Sequence, residues 1–225
     1  MSTFVLLHGA WHGAWCWQRV TPRLEAAGHT VVTPTLAGLG ERADAASPGV
    51  NLDTHIADVV AALDGLPDAV LVAHSYAGFP AYGAAERAPI SRLVLLDAFI
   101  PRDGDTMADH VGERGDQYRA AAADDPGWLA PAPPATVLGV ADADTDWVDG
   151  SMTPQPVQTY LQAIALTGAA DRLDRLYIDC TTPSLPTLDE SKRRIAEAGA
   201  PSTQLACGHD AMIAMPDQLA DVLLA

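Results

Sequence analysis

The sequence predicts an α/β fold in which a mostly parallel sheet of about six strands lies between two layers of helices. Two observations lead to this prediction. Short apolar runs of strand length alternate along the chain with longer segments of helical periodicity. With 225 residues and 48% hydrophobic side chains, the chain is also long enough to bury one substantial core.

The first elements are predicted from apolar runs and from the residues that end them. Phe4–Leu7 is expected to be a buried strand. Trp17–Ala27 has helical periodicity and stops at Gly28, a residue type that commonly follows the last turn of a helix. His29–Thr33 is predicted as the second strand, because Pro34 would remove a backbone donor from any longer strand.

The middle of the chain continues the alternation. Asp53 or Thr54 is expected to cap a helix, because either side chain can accept a hydrogen bond from a free backbone N–H group. The apolar face of this helix would be Ile56, Val59, Val60 and Leu63. The next predicted elements are a strand at Ala69–Ala73, a helix at Tyr76–Arg87 and a strand at Arg92–Ala98.

A long segment before the fifth predicted strand interrupts this pattern. Residues 101–174 are rich in alanine, aspartate and proline, and about seventy residues are too many for a plain connection. We therefore predict a helical cap at 101–174, over the site, and a core formed by 1–100 and 175–225. The remaining predicted elements are the strand Leu176–Cys180, the helix Asp189–Ala198, the strand Ser202–Ala206 and the helix Asp217–Leu224.

The charge balance argues against some classes of partner. The chain has 13 basic and 29 acidic residues and a net charge of −16, which would repel nucleic-acid phosphates and anionic membranes. Its three cysteines show no disulfide or metal-ligand spacing, and the N-terminus lacks the basic segment and long apolar run of a signal peptide. We therefore expect a cytoplasmic protein with no nucleic-acid or membrane partner, and a homodimer stays open.

The stretch Val70–Gly78 is a candidate catalytic element. An apolar strand ends there in a sharp turn that carries Ser75, and a helix is predicted directly after it. The small neighbours Ala73 and Ala77 let the chain turn steeply, so that the hydroxyl would stand out at the edge of the sheet. The usual pattern is G-x-S-x-G with glycines where this chain has alanines, and an ordinary helix-capping serine is the alternative interpretation.

Other strand-end loops carry the partners that such a serine needs. In an open parallel sheet, ligands bind at the carboxyl ends of the strands. Asp97 lies near the end of the fourth strand, and His209 follows the sixth. Serine, acid and histidine in this order along the chain are typical of α/β-hydrolases, in which the three residues form a catalytic triad.

Three segments resemble the plant methylesterase and hydroxynitrile lyase branch of the α/β-hydrolases. They are the opening Val5–Trp17, the turn His74-Ser75 with Gly78, and the histidine segment Gly208–Pro216. The resemblance implies that Ser75 is the nucleophile and His209 the base. It also implies an oxyanion hole formed by the backbone N–H groups of Ala10 and Tyr76.

The sequence departs from that branch at the triad acid. The branch carries the acid after the fifth strand in a Tyr-Ile-x-Cys-Thr-x-Asp pattern, whereas here Tyr177–Pro183 ends in a proline that cannot accept a hydrogen bond from the imidazole. Asp97 is the favoured substitute, because a buried carboxylate at the end of the fourth strand needs a hydrogen-bond partner. The alternative carboxylates are Asp179, Asp103 and Asp105.

Three further residues are candidates for substrate binding. His12 lies close to the predicted oxyanion loop, whereas His8 and His74 are more simply interpreted as structural. Trp128 and Trp147 are candidate pocket residues in the cap, with packing inside the cap as the alternative.

These residues together predict a serine hydrolase that cleaves a carboxylic ester of a small to medium hydrophobic substrate through an acyl-enzyme, without a metal or organic cofactor. Three alternatives stay open: a hydroxynitrile lyase, a tailoring enzyme of secondary metabolism that lactonises, cyclises or cleaves its substrate, and a ligand-binding protein without turnover. By resemblance, the lyases carry a threonine in place of Gly9 and a lysine in place of Asp210. A negative charge at that second position could not stabilise cyanide, which favours ester hydrolysis.

Overall fold

The computed structural model of the chain describes residues 1–122 and 127–225. Its strands are β1 (Thr3–Leu7), β2 (Thr30–Val32), β3 (Ala69–His74), β4 (Arg92–Leu96), β5 (Leu129–Ala130), β6 (Gln155–Pro156), β7 (Asp174–Cys180) and β8 (Ser202–Leu205). The main sheet contains six of them in the order β2-β1-β3-β4-β7-β8, and every neighbouring pair is parallel. A second, two-stranded antiparallel sheet is formed by β5 and β6.

Helices connect the strands and cover both faces of the main sheet. They are α1 (Thr21–Ala26), α2 (Leu52–Leu63), α3 (Gly78–Ala85), α4 (Met107–His110), α5 (Glu113–Ala121), α6 (Asp142–Ser151), α7 (Gln158–Leu161), α8 (Asp189–Glu197), α9 (Ala211–Ala214) and α10 (Pro216–Leu224). Short 3-10 helices occur at Ala14–Trp17, Gly40–Ala45, Ser75–Ala77, Ala135–Leu138, Ala170–Arg172 and Pro186–Leu188. Among the described residues, no helix combines the length and the apolar character that crossing a membrane would require.

The predicted fold class is confirmed, and the alternation of strand side chains explains the apolar runs. On β3 and β4, Leu71 and Leu93 pack into one buried cluster with residues of α2 and α3. Their neighbours Val72 and Val94 pack into a second cluster with residues of α1 and α10. Because successive side chains of a strand point to opposite faces, a sheet covered on both sides needs apolar residues at every position.

Two expectations about helix ends were wrong. The predicted helix Trp17–Ala27 is α-helical only over α1, because Trp17 ends a separate 3-10 helix at Ala14–Trp17; Gly28 does follow the last turn, with φ of +88°. The cap of α2 is neither Asp53 nor Thr54 but Asn51, whose side chain accepts a hydrogen bond from the backbone N–H of Thr54 at 3.0 Å. The hydroxyl oxygen of Thr54 in turn accepts a hydrogen bond from the backbone N–H of Asn51, so the two residues form a capping box.

The segment between β4 and β7 lies over part of the sheet edge that carries the strand ends. The backbone N–H of Thr153 donates to the carbonyl of Trp11 at 2.9 Å, in the loop after β1. The backbone N–H of His209 donates to the carbonyl of Leu138 at 2.9 Å, in the loop after β8. The cap is therefore attached to two of the loops that carry candidate site residues, and its treatment as a domain at 101–174 stays a prediction.

Candidate active site

Ser75 occupies a strained turn between β3 and α3. Its φ is +56°, a conformation that non-glycine residues rarely adopt, and the residue is 7% exposed. The turn is packed against the loop after β4: a Cβ atom at Gly78 would lie 2.0 Å from the carbonyl oxygen of Phe99. The chain can therefore approach this closely only with glycine at position 78, which explains the glycine that follows the serine turn.

Asp97 lies in a second strained turn, directly after β4. Its φ is +42° and the residue is fully buried. Its backbone N–H donates to the carbonyl of Ile178 at 2.7 Å, and its Oδ1 accepts the backbone N–H of Cys180 at 3.3 Å. Both contacts are made to β7, so the neighbouring strand fixes the direction of the carboxylate.

His209 lies between the serine and this aspartate. Its Nδ1 is 2.7 Å from Oδ2 of Asp97, and its Nε2 is 2.8 Å from Oγ of Ser75. The carboxylate can only accept, so Nδ1 carries the proton and Nε2 is free to accept from the hydroxyl. The structure thus brings together the three side chains that the sequence analysis selected.

The loop after β1 is held in a third strained conformation next to Ser75. Trp11 has a φ of +63°, and its backbone N–H donates to Oε1 of Gln155 at 3.1 Å. Its indole N–H donates to the carbonyl of Ala130 at 3.2 Å. Gln155 and Ala130 both belong to the cap, so the cap stabilises a backbone conformation that tryptophan would rarely adopt alone.

A cavity of about 290 Å³ opens beside the serine. Its walls are mostly aromatic and aliphatic, and Ala10 and Tyr76, the two predicted oxyanion donors, are part of them. Among the described residues, neither backbone N–H group donates a hydrogen bond to a turn or loop carbonyl. The lining residues are Ala10, Trp11, Ser75, Tyr76, Phe99, Met107, Val111, Arg114, Tyr118, Val137, Leu138, Tyr160, Leu185, Thr187 and His209.

The predicted substrate contacts lie elsewhere. His12, Trp128 and Trp147 are absent from the cavity walls, as far as the described residues show. His12 stacks on Trp15, with ring centroids 5.0 Å apart, and Trp147 meets Trp15 edge-on at 5.5 Å. The carbonyl of Trp128 accepts a backbone hydrogen bond from Val157. The rings of His12 and Trp147 therefore pack against Trp15, and the backbone of Trp128 takes part in a hydrogen bond within the cap. Packing inside the cap is the alternative that the sequence left open for the tryptophans.

Sequence reasoning missed most of the cavity wall. The cap contributes Met107, Arg114, Tyr118 and Tyr160 to it. Tyr118 and Tyr160 pack together with ring centroids 4.8 Å apart. No pattern in the sequence separates these residues from other apolar or charged positions of the cap, because the cavity is formed by segments far apart in the chain.

The alternative carboxylates are engaged in other contacts. Asp179 pairs with Lys192 at 2.6 Å, and Asp103 accepts the backbone N–H of Leu166 at 2.8 Å. Asp105 accepts from His110 at 3.0 Å. No hydrogen bond between these carboxylates and the imidazole of His209 occurs among the described residues.

Two further histidines are buried around the site. His8 accepts the backbone N–H of Leu36 at 3.0 Å through Nε2 and donates to the carbonyl of Gly9 at 2.8 Å through Nδ1. Burial lowers the pKa of His8 to about 3, so it is neutral. His74 donates through Nε2 to the carbonyl of His209 at 3.1 Å, and burial lowers its pKa as well. Both side chains therefore fix backbone segments on which site residues lie.

One cluster in the described part of the chain brings three side chains with metal-binding atoms together. The ligand atoms of His74, His209 and Asp210 lie within 4.8 Å of one another. Both ring nitrogens of His209 already face Asp97 and Ser75, and Nε2 of His74 faces a carbonyl. In this arrangement His209 has no ring nitrogen left for a metal ion, because both are engaged in hydrogen bonds.

Comparison with known proteins places this geometry in a family. Residues 4–222 match the model of the alpha/beta hydrolase family. A carbendazim-hydrolysing esterase from Nocardioides sp. is 38% identical over 100% of this chain and 99% of its own length. Methylesterase 1 from Arabidopsis thaliana is 39% identical over 104 residues, which are 44% of this chain and 40% of that protein.

A solved structure shows the same fold. An extracellular α/β-hydrolase from a Paenibacillus species superposes with a TM-score of 0.85 at 22% identity, over 100% of this chain and 98% of that chain. The fold, the match over nearly the whole chain and the full-length relative lead to one conclusion: this chain is a member of the α/β-hydrolase family.

Proposed function

We propose that this protein is a serine hydrolase that cleaves carboxylic esters of small to medium hydrophobic substrates through an acyl-enzyme. The main support is the continuous set of hydrogen bonds from Ser75 through His209 to Asp97: all three residues are at least 93% buried, and Ser75 and His209 line one cavity. The full-length relative, named as an esterase, supports the same reaction.

In the acylation step, His209 takes the proton of the Ser75 hydroxyl through Nε2 as Oγ attacks the ester carbonyl. Asp97 holds the proton on Nδ1 and stabilises the imidazolium that forms. The imidazolium then gives its proton to the departing alcohol. A water molecule then attacks the acyl-enzyme while His209 takes its proton. His209 returns this proton to Oγ of Ser75, and the carboxylic acid is released.

The oxyanion would be bound by the backbone N–H groups of Ala10 and Tyr76. Both residues line the cavity with Ser75, and Tyr76 lies in the first turn after β3, in the 3-10 helix Ser75–Ala77, where free backbone N–H groups favour negative charge. One such donor contributes about 3–4 kcal/mol to transition-state stabilisation in comparable sites.

The cavity supports a hydrophobic substrate of modest size. Its walls include the rings of Trp11, Phe99, Tyr118 and Tyr160, and its volume is about 290 Å³. A cavity of this size falls at the lower end of small-molecule sites. The names of the relatives, a carbendazim-hydrolysing esterase and a methylesterase, agree with the hydrolysis of a small ester.

The geometry disfavours a hydroxynitrile lyase. A Cβ atom at Gly9 would lie 2.8 Å from Nδ1 of His74 and 3.0 Å from Cβ of Ser75, so the loop has no room for the threonine of the lyases. Asp210 occupies the position of their lysine and pairs with His12 at 3.1 Å. The tailoring reactions would use the same three residues as ester hydrolysis, and no contact in the cavity favours them over it.

The proposal is tested by labelling with a fluorophosphonate probe and by hydrolysis of a short-chain chromogenic ester. We expect the wild-type protein to be labelled and active, and Ser75→Ala to lose both properties while it unfolds at the same temperature. Failure of the wild type to react with the probe would favour the ligand-binding alternative. Cyanide release from a cyanohydrin at a rate above ester hydrolysis would instead establish the lyase.

A further inference from the structure

A second histidine–aspartate pair lies behind the proposed oxyanion loop. Nε2 of His12 is 3.1 Å from Oδ2 of Asp210, and both residues are 1% exposed. The proposed mechanism uses neither side chain. A buried pair of ionisable groups is costly unless its hydrogen bonds are well satisfied, so its position next to the site calls for a reason.

The contacts of His12 define its protonation state. Its Nδ1 is 2.7 Å from the carbonyl oxygen of Ala10, and its Nε2 faces the carboxylate of Asp210. A carbonyl and a carboxylate can only accept, so both ring nitrogens must donate and the ring is an imidazolium. Burial alone would lower the pKa of His12, but the charge of Asp210 and the two hydrogen bonds outweigh burial and raise it. The pKa of Asp210 is correspondingly lowered by His12 against the effect of burial.

The pair connects two parts of the proposed site. His12 holds the carbonyl of Ala10, in the loop where Trp11 has its strained φ of +63°. Asp210 directly follows His209 in the chain. Its Oδ1 also lies 3.7 Å from Nε2 of His74, the group that donates to the carbonyl of His209 at 3.1 Å. The hydrogen bonds of His12 to the Ala10 carbonyl and to the Asp210 carboxylate thus link the backbone of the proposed oxyanion loop to the residue that follows the proposed base.

We propose that His12 and Asp210 are positioning residues, forming an imidazolium–carboxylate bridge that holds the oxyanion loop at the correct distance from the base. This inference rests on the proposed ester hydrolysis. The bridge acts through the Ala10 carbonyl and the His209 backbone, and neither side chain touches the substrate cavity within the described residues. A misplaced oxyanion donor affects the transition state more than substrate binding, so its loss lowers kcat rather than raising KM.

The bridge depends on pH in a definite direction. It is intact while His12 carries both protons, and it is broken as pH rises through the pKa of His12, because one ring nitrogen then faces an acceptor without a proton. The other titratable groups around the pair are His8, Glu41, Cys16, His74 and His209. Burial lowers the pKa of His8 and of His74, so neither competes for the proton of His12.

The first test is removal of the carboxylate. In Asp210→Ala, we expect kcat for a short-chain ester to fall about 10- to 100-fold, while KM changes less than about 3-fold. The matched control is His110→Asn, which breaks a half-buried histidine–aspartate contact, between His110 and Asp105 at 3.0 Å, outside the oxyanion loop. The control should lose stability without a comparable loss of kcat. A kcat for Asp210→Ala within 3-fold of the wild type would overturn the proposal.

The second test keeps the shape of the side chain and changes its charge. In Asp210→Asn, the amide N–H can donate to Nε2 of a neutral His12, whose Nδ1 still donates to Ala10, so the bridge survives without the imidazolium. We expect kcat within about 5-fold of the wild type at neutral pH, and an alkaline limb of the kcat profile that moves to higher pH by more than one unit. If the alkaline limb of the kcat profile of Asp210→Asn stayed at the wild-type pH, the bridge would be contradicted. This measurement is possible even if Asp210→Ala does not fold.

The two proposals fail in distinguishable ways. A wild-type protein without esterase activity or fluorophosphonate labelling would refute the proposed function. A wild type that is active and labelled, with Asp210 variants that keep both its kcat and its pH profile, would refute only the bridge.

Discussion

The carboxyl ends of β4 and β7 are neighbours in the sheet, and an aspartate lies at each of them. Leu96 pairs with Ile178 in parallel register, so Asp97 and Asp179, the next residue on each chain segment, lie side by side. Asp97 is fully buried and lies 2.7 Å from the imidazole of His209. Asp179 faces α8, where it pairs with Lys192 at 2.6 Å.

Backbone direction explains the difference between these two ends. On β7, Ile178 and Cys180 point into one buried cluster, so strand alternation sends Asp179 to the opposite face. The turn with φ of +42° at Asp97 ends β4 and departs from strand geometry. The carboxylate can then accept from the backbone N–H of Cys180 and face the imidazole. A residue type does not define a triad acid; its backbone conformation decides which way the carboxylate points.

The largest expected effect comes from neutralising the acid at the end of β4. Asp97→Asn keeps the shape of the side chain but no longer holds the proton on Nδ1 of His209. By analogy with other triads, kcat should fall about 10³- to 10⁴-fold with little change in KM. Steady-state hydrolysis of a chromogenic ester measures both constants. Activity within tenfold of the wild type would remove Asp97 from the proposed triad.

An intermediate effect is expected from the packing that supports this end. In Gly78→Ala, the new methyl group would lie 2.0 Å from the carbonyl oxygen of Phe99 and would push the loop after β4 away from the serine turn. We expect the free energy of unfolding to fall by about 1–3 kcal/mol or more, as for other overpacked sites, together with kcat.

Urea denaturation measures this loss, and Gly150→Ala in α6 is the matched control. A Cβ atom at Gly150 has no neighbour within 4 Å, so alanine there should leave stability unchanged or raise it by up to about 1 kcal/mol. If Gly78→Ala were as stable and as active as this control, the close approach of the two loops would not matter for the site.

The smallest effect is expected at the end of β7. Asp179→Asn breaks a partly exposed ion pair with Lys192, whose loss should cost at most about 1 kcal/mol of stability. Since its side chain points away from His209, kcat should stay within about 2-fold of the wild type. Paired measurements of kcat and thermal unfolding on Asp179→Asn and Asp97→Asn test the comparison directly; equal losses of kcat would show that the two ends are equivalent.

Much of the fold could be predicted from local patterns. The strands β3 and β4 were expected at almost their observed positions, because a sheet buried on both faces requires continuous apolar runs. Helix starts were less predictable. The cap of α2 is Asn51, and Asp53 and Thr54, which were expected in that role, offer the same hydrogen-bonding chemistry two or three residues later.

The candidate site divides in the same way. Ser75 and His209 could be selected because a turn and a resemblance mark each of them, and Asp97 because a lone carboxylate ended an apolar strand. The choice of His12 as a substrate contact was not supported: its ring faces Asp210 and Trp15 rather than the cavity. Proximity in sequence to the oxyanion loop says nothing about the direction in which a side chain points.

By itself, then, the sequence determined the alternation of strands and helices and the order of serine, acid and histidine along the chain. Local periodicity and turn chemistry suffice for both. Only the tertiary structure decided which carboxylate meets the imidazole, which cap residues enclose the cavity, and that His12 and Asp210 face each other. These features depend on strained backbone angles at Trp11, Ser75 and Asp97, which are stabilised by contacts between segments far apart in the chain.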